Sequence, residues 1–300
     1  MEEFKSGFVS LIGRTNVGKS TLINLLVGEK VAAIANKVQT TRTAIRGIVN
    51  RENSQIIFID TPGIHKPKTK LNETMIETSF GMMLDADVIL FLIEATSEEI
   101  GRGDRRILEK IKEANKKTIL IINKIDLVKR EKLLKLIDLY SKEYNFEAVI
   151  PITALNNKYR NIILDEIEKH LNVGPAYYDI EEYTDQTTRQ LVEETIREKA
   201  LKLLDDEVPH GILVQVEKMK KRKTIGNEPI YNIEATIYCL RASHKGIIIG
   251  KNGSMLKRIG TFARQDLEKM LNIKINLKIW VKVREDWINS DKFIKSFRLD

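Results

Sequence analysis

Short apolar runs alternate with helix-like segments through the first half of this 300-residue chain. The runs with the length of buried strands are residues 8–12, 55–59, 88–93, 118–122 and 149–152, and the stretch 44–50 is a further candidate. Apolar residues recur at helical spacing near residues 19–27, 72–84, 103–115, 131–144 and 161–171. Such alternation is typical of a mostly parallel sheet with helices on both faces, so we predict an α/β domain.

The pattern changes after a segment rich in glycine, proline, tyrosine and acidic residues at 172–184. A long amphipathic helix is predicted over residues 185–205, and strands are predicted at 211–218 and 231–240. Two helices around a glycine loop follow. Residues 273–283 then alternate apolar and polar side chains, as a strand with one buried face does.

These patterns predict two domains. The first is an α/β domain over residues 1–175, and residues 176–184 form a linker. The second covers residues 185–300, is an α+β domain with the order α-β-β-α-α-β, and carries a C-terminal helical extension.

Residues 13–20 read GRTNVGKS and lie between a predicted strand and a predicted helix, as the pattern G-x-x-x-x-G-K-[ST] requires. Gly13 and Gly18 permit backbone conformations in which successive amide groups converge on phosphate oxygens. Lys19 places a charge at the β- and γ-phosphates, and Ser20 offers a hydroxyl to Mg²⁺. The motif predicts a nucleoside triphosphate site. Its residues are Gly13, Arg14, Thr15, Asn16, Val17, Gly18, Lys19, Ser20 and Thr21.

The sequence Asn123-Lys124-Ile125-Asp126 ends a later predicted strand and indicates guanine as the base. The Asp126 carboxylate accepts hydrogen bonds from the ring N–H and the exocyclic amine of guanine, a pair that adenine lacks. Lys124 can lie along the face of the base. The segment Thr153-Ala154-Leu155 ends the next strand and is a candidate third base-contacting loop.

Asp60-Thr61-Pro62-Gly63 ends the predicted strand 55–59, and we expect it to sense the γ-phosphate. A carboxylate there can hold Mg²⁺ through water, and the Gly63 N–H can meet the phosphate. We expect Thr41 to give Mg²⁺ a second hydroxyl and to act in catalysis with Lys19, although the adjacent Thr40 is an equal candidate by position. Residue 64 is Ile64, which cannot orient the attacking water as glutamine does in many small GTPases.

The second domain carries a G-x-x-G loop between its two later helices, Ile249-Gly250-Lys251-Asn252-Gly253. Two glycines let main-chain amides and the Lys251 side chain approach an RNA backbone and hold about four nucleotides over an apolar groove. Lys257 and Arg258 follow on the next helix and are further candidates for contacting RNA. The surrounding block, residues 209–284, holds 16 basic and 5 acidic residues, whereas the whole chain has a net charge of only +8. This block therefore has the charge of a nucleic-acid-binding surface.

Composition excludes several classes of protein. Hydrophobic residues make up 42% and charged residues 31% of the chain, as in a soluble globular protein. No run is apolar enough to span a membrane, and the N-terminal segment does not read as a secretory signal. The one cysteine, Cys239, excludes an intrachain disulfide and a cysteine zinc site. We expect a cytoplasmic protein.

The order GRTNVGKS, QTTR, DTPG, NKID and TAL resembles that of the translation-factor-related bacterial GTPases in which a hydrophobic residue replaces the water-positioning glutamine. With the type II KH pattern behind it, the whole chain resembles the KH-domain ribosome-assembly GTPases of that superfamily. Thr153 stands where serine is more usual. The resemblance implies that Asn16 helps to bind K⁺ beside the phosphates, and hence takes part in a K⁺-stimulated hydrolysis of GTP to GDP. It also implies binding of the 3′ end of 16S rRNA during 30S maturation, a peripheral fraction on the inner membrane face, and a monomer.

Two other functions remain as alternatives: a membrane-surface GTPase whose basic block binds anionic lipids, and a GTPase whose KH domain binds a protein. The basic run at 218–223 fits contact with RNA, with lipid or only with solvent. Trp280 lies among lysines of the last strand, where we favour packing against the C-terminal helix over stacking on a base.

Overall fold

A computed structural model describes residues 3–34, 44–64, 67, 69–205, 208–223 and 228–296. It divides into two compact units, and the division in the main chain falls between Asp185 and Gln186. None of the helices within the described ranges combines the length and apolar content needed to cross a membrane.

The first unit is built on a sheet whose strands are β1 (Lys5–Gly13), β2 (Ile45–Arg51), β3 (Ser54–Asp60), β4 (Val88–Glu94), β5 (Lys117–Asn123), β6 (Ala148–Pro151) and the short β7 (Asn172–Val173). The strand order is β2-β3-β1-β4-β5-β6, and β7 pairs with β1. Strands β1, β3, β4, β5 and β6 are mutually parallel, while β2 and β7 run antiparallel to their neighbours. The parallel strands are nearly continuous apolar runs because helices cover both of their faces.

The helices described between these strands are α1 (Lys19–Val27), α2 (Lys70–Asp85), α3 (Arg102–Ala114), α4 (Arg130–Glu143) and α5 (Tyr159–His170). They produce two apolar cores, one on each side of the sheet. Ile23 of α1 and Ile163 of α5 lie in one core, and Ile107 of α3 and Leu136 of α4 lie in the other. Each core holds the strand ends firmly, so the loops that follow β1, β3, β5 and β6 keep fixed positions.

Residues 176–184, predicted as a linker, differ from that expectation because they pack along β2 and β3. The buried amide of Gln55 accepts the main-chain N–H groups of Tyr177 and Tyr178, at 2.6 and 3.0 Å, and donates to the Tyr178 carbonyl at 2.8 Å. Ile48 N–H donates to the Tyr183 carbonyl at 2.9 Å. The segment therefore covers the outer edge of β2, which would otherwise expose unpaired backbone groups.

The second unit has the order α6 (Thr188–Leu203), β8 (Leu213–Lys223), β9 (Pro229–Cys239), α7 (Ala242–Ile249), α8 (Ser254–Leu271) and β10 (Lys274–Val283), followed by α9 (Asp291–Ser296). Strand β9 is central, antiparallel to β8 and parallel to β10. Helices α6, α7 and α8 contribute to one core on the apolar face of this sheet, and buried Cys239 lies in it. The predicted α-β-β-α-α-β order is the order in the structure.

Candidate functional site

The predicted nucleotide loops meet at one edge of the first sheet. Each follows the carboxyl end of a parallel strand: the phosphate loop follows β1, residues 61–64 follow β3, residues 124–127 follow β5, and residues 152–155 follow β6. In open parallel sheets this edge is where ligands bind. Thr41, Thr40 and the rest of QTTR lie outside the described residues.

Lys19 is buried inside the phosphate loop, with 6% of its surface exposed. Its Nζ donates to the carbonyl oxygens of Gly13 and Arg14, each at 3.0 Å. Burial lowers the pKa of Lys19 to about 8, and the nearby Asp60 carboxylate partly opposes this shift. Polyphosphate oxygens at the loop would favour the charged ammonium further, so Lys19 is placed to bind an anion.

Two oxygen-bearing side chains stand next to the lysine. Ser20 Oγ donates to Asp60 Oδ2 at 2.9 Å, and Asp60 is completely buried. A hydroxyl and a carboxylate in contact are hard oxygen donors of the kind that Mg²⁺ prefers. Ser20 and Asp60 would therefore hold Mg²⁺, which neutralises charge on the β- and γ-phosphates when bound. Among the described residues no group of three His, Cys, Asp or Glu forms a separate metal cluster.

The Asp60–Ile64 loop is pressed against the phosphate loop. A β-carbon on Gly63 would lie 2.7 Å from Thr15 Cγ2 and 2.8 Å from Thr15 Cα, so only glycine fits this approach. Thr61 Oγ1 donates to the Leu11 carbonyl at 2.6 Å, which fixes the start of the loop. Ile64 is 2% exposed and packs in the core that contains Phe91. Its side chain therefore lies in the apolar core and offers no polar group to a water molecule.

Asn123 joins three loops of the site. Its Nδ2 donates to the Val17 carbonyl at 2.8 Å, and its Oδ1 accepts from the main-chain N–H groups of Lys124 and Ala154 at 2.8 and 2.9 Å. Gly18 has φ 104°, and a β-carbon there would lie 2.2 Å from Asn123 Nδ2. The glycine of one motif therefore makes room for the asparagine of another.

The predicted base-contacting residues lie in the two loops that this asparagine joins. Lys124 has a left-handed backbone, with φ 63°, and its Nζ lies 3.2 Å from Glu94 Oε1. Asp126 is exposed in the turn Ile125–Leu127, and Leu155 is 85% exposed in the loop after β6. An exposed apolar side chain in one loop and an exposed carboxylate in the other suit the face and the edge of a planar base. Sequence reasoning missed Glu94, whose acidic position at the end of an apolar strand was the available signal.

Arg14 behaves differently from its neighbours in the phosphate loop. Its main-chain oxygen belongs to the loop, but its side chain leaves the loop and pairs with Asp104 at 3.0 Å. The contact of Arg14 with nucleotide stays a prediction, and in this structure the main chain is the part of Arg14 that lies in the phosphate loop.

The G-x-x-G loop lies at the junction of α7 and α8. Gly250 and Gly253 have φ 71° and 78°, and a β-carbon on Gly250 would lie 2.8 Å from Met255 Cβ. Asn252 also takes a left-handed conformation, with φ 53°. Because the loop turns sharply at these positions, the Lys251 and Asn252 side chains project into solvent.

A groove of about 490 Å³ continues from Gly253 between α8 and β10. Leu256, Gly260 and Ile279 line its apolar part, and Lys257 and Arg264 lie along it. A β-carbon on Gly260 would lie 3.6 Å from Ile279 Cδ1, an ordinary contact distance, so α8 and β10 approach closely at this point of the groove. Arg258 is exposed on α8 but does not line the groove, and Ile249 ends α7. Sequence reasoning missed Gly260, Arg264 and Ile279, which come together only when α8 packs on β10.

The basic run at 218–223 forms the second half of β8 and is largely exposed. Trp280 is 44% exposed, and no described aromatic ring or cation lies against it. Phe293 of α9 packs instead on Tyr238 and Trp287, with ring centroids 6.1 Å apart in each pair. The ring contacts described for the C-terminal helix therefore come from Phe293, and the packing of Trp280 on that helix stays a prediction.

Comparison with known proteins gives two family matches and many full-length relatives. Residues 8–124 match the 50S ribosome-binding GTPase family, and residues 207–288 match the KH domain family. GTPase Era of Ruminiclostridium cellulolyticum is 49% identical over 293 residues, which are 98% of this chain and 97% of that protein. GTPase Era of Clostridioides difficile is 48% identical and covers 98% of each chain.

Two solved structures are similar to this chain in fold, and each match covers 99% of both chains. One is Era in complex with MgGDPNP and nucleotides 1506–1542 of 16S ribosomal RNA, with a TM-score of 0.94 and 39% identity. The other is an Era variant of Aquifex aeolicus bound to GDP·AlF₄⁻, with a TM-score of 0.93 and 38% identity. The predicted fold, a phosphate-loop GTPase domain followed by a KH domain, is confirmed, and the chain belongs to the Era family of GTPases.

Proposed function

We propose that this chain is a GTP-hydrolysing switch that binds the 3′ end of 16S rRNA and acts in assembly of the 30S subunit. The observation that carries the proposal is the occurrence of two phosphate-binding loops in one chain. One is joined through Asn123 to a guanine-type loop, and the other opens into a basic groove. The related Era structure contains a ligand of each kind, MgGDPNP and 16S rRNA.

The nucleotide chemistry depends on positioning. Main-chain amides of the phosphate loop and the Lys19 ammonium orient the phosphates, and Ser20 and Asp60 are the protein ligands that we assign to Mg²⁺. Because Ile64 is buried, a group other than the residue at position 64 has to position the water. We propose Thr41 for the second hydroxyl on Mg²⁺.

Asn16 is our candidate ligand for K⁺. Its backbone is left-handed, with φ 64°, and its exposed side chain makes no hydrogen bond to any described residue. An amide oxygen that is not engaged within the protein fits a monovalent cation, which would supply positive charge when bound.

Replacing Asn16 by glycine tests this role without backbone strain, because glycine tolerates the left-handed conformation. We expect the rate of GTP hydrolysis in K⁺ to fall at least tenfold, to the rate of the original protein in Na⁺. Initial rates in matched KCl and NaCl buffers measure the change, and GDP affinity serves as the control. Undiminished stimulation by K⁺ would remove Asn16 from the site.

The RNA half of the proposal predicts that nucleotide state changes RNA affinity. We expect an oligonucleotide from the 3′ end of 16S rRNA to bind at least fivefold more tightly with a GTP analogue than with GDP, because the triphosphate orders loops that the diphosphate does not. Fluorescence anisotropy measures both affinities, and an oligonucleotide of scrambled sequence is the control. Equal affinities would refute coupling, and equal binding of both sequences would refute specific recognition.

We further propose a cytoplasmic monomer with a peripheral membrane fraction. Co-sedimentation with anionic liposomes, with and without competing rRNA, separates this fraction from RNA binding. Binding to liposomes that RNA fails to displace would favour the membrane-surface alternative.

A further inference from the structure

Arg14 extends from the phosphate loop to the start of α3. Its Nε donates to Asp104 Oδ1 at 3.0 Å, and its Nη2 donates to Ser97 Oγ at 3.0 Å. A β-carbon on Gly103 would lie 2.9 Å from Arg14 Cδ, so this glycine leaves the path of the arginine side chain open. The arrangement depends on residues about ninety positions apart in the chain.

Asp104 is a fully buried carboxylate with both oxygens engaged. Its Oδ2 accepts the Tyr140 hydroxyl at 3.1 Å, while its Oδ1 accepts from Arg14. Asp104 also lies in the first turn of α3, where the helix dipole favours negative charge. Removal of the paired Arg14 guanidinium would leave a costly unpaired charge on the buried carboxylate, so the pair is strongly constrained.

The main chain of Arg14 belongs to the phosphate loop. Its carbonyl oxygen accepts from Lys19 Nζ at 3.0 Å, and its backbone forms a bridge with Ile64 of the loop after β3. One residue therefore connects the lysine that meets the phosphates, the loop that senses the γ-phosphate, and the helices α3 and α4. The Arg14 side chain needs no role in binding nucleotide, since it extends away from the phosphate loop to Asp104 and Ser97.

We propose that Asp104, supported by Tyr140, is a positioning residue that acts through Arg14 to hold the phosphate loop in its nucleotide-ready shape. The inference rests on the proposed nucleotide site. A loop held in advance loses less conformational entropy on binding, so loss of the clamp weakens nucleotide binding rather than the chemical step.

The test compares Asp104→Asn, Arg14→Lys and Tyr140→Phe by the dissociation rate of fluorescent GDP and by steady-state kinetics. We expect Asp104→Asn to speed GDP dissociation and raise the KM for GTP by about tenfold, with kcat within twofold. Arg14→Lys keeps the charge but loses the two-pronged contact, and we expect a similar change. Tyr140→Phe leaves the ion pair in place, and we expect a change of less than threefold.

Ile111→Val is the matched control, because Ile111 is buried on α3 in the same core as Tyr140 and makes none of the contacts of the Arg14–Asp104–Tyr140 clamp. We expect it to lower the melting temperature without changing GDP dissociation. If Ile111→Val and Asp104→Asn lower the melting temperature by similar amounts and speed GDP dissociation equally, the role of Asp104 is only structural. Unchanged dissociation in all three clamp variants would also overturn the inference. Failure of the unaltered protein to bind GDP would instead refute the proposed function.

Discussion

Asparagine in place of Asp126 is expected to weaken GTP binding by about 10²- to 10⁴-fold and to create affinity for xanthosine triphosphate. In the proposed site this carboxylate would accept two charge-assisted hydrogen bonds from guanine, each contributing about 1.5–3 kcal/mol. An asparagine amide accepts only from the ring N–H and presents its own N–H₂ group to the exocyclic amine. Xanthine carries a carbonyl at that position, so the same amide matches it.

Competition of each triphosphate against fluorescent GDP measures both changes. Asp138→Asn is a matched control, since Asp138 is an exposed carboxylate on α4 that pairs with Lys142. We expect that control to bind GTP as the unaltered chain does. A GTP affinity within threefold of the original, with no gain for the xanthine nucleotide, would show that Asp126 does not read the base.

Reversing the charge of the G-x-x-G loop is the second large effect. We expect Lys251→Asp combined with Asn252→Asp to weaken binding of the 16S rRNA 3′ end more than 100-fold, because aspartate repels the phosphates that the loop approaches. Aspartate tolerates the left-handed backbone at position 252, where φ is 53°, so the loop can keep its shape. The slope of log affinity against log salt concentration should also decrease in magnitude by about one or more, because at least one phosphate contact is lost.

The first unit offers a control with the same change in charge. Asn115 is also left-handed, with φ 48°, and Lys116 follows it directly. We expect Asn115→Asp combined with Lys116→Asp to leave RNA affinity within threefold. Equal losses in the two double variants would attribute the effect to overall charge, and no loss in the loop variant would support a protein partner for the KH domain.

Local pattern determined the secondary structure of this protein and the chemical character of its loops. The buried runs of β1, β3, β4 and β5 were recognisable because strands covered on both faces are continuously apolar. The phosphate loop and the G-x-x-G loop were recognisable because each needs glycine at fixed spacing, whatever the rest of the chain does.

Tertiary structure alone decided which distant groups meet. The 176–184 segment gives no periodic signal, and its place on the sheet depends on the buried amide of Gln55, more than a hundred residues earlier. In the sequence Arg14 is one more residue of the phosphate loop, yet its side chain forms an ion pair with Asp104 of α3. The groove beside the G-x-x-G loop is lined by Gly260 and Ile279, which come from separate elements. Periodicity reports only which face of an element is buried, whereas these contacts depend on strand order and helix packing, which bring together residues far apart in the chain.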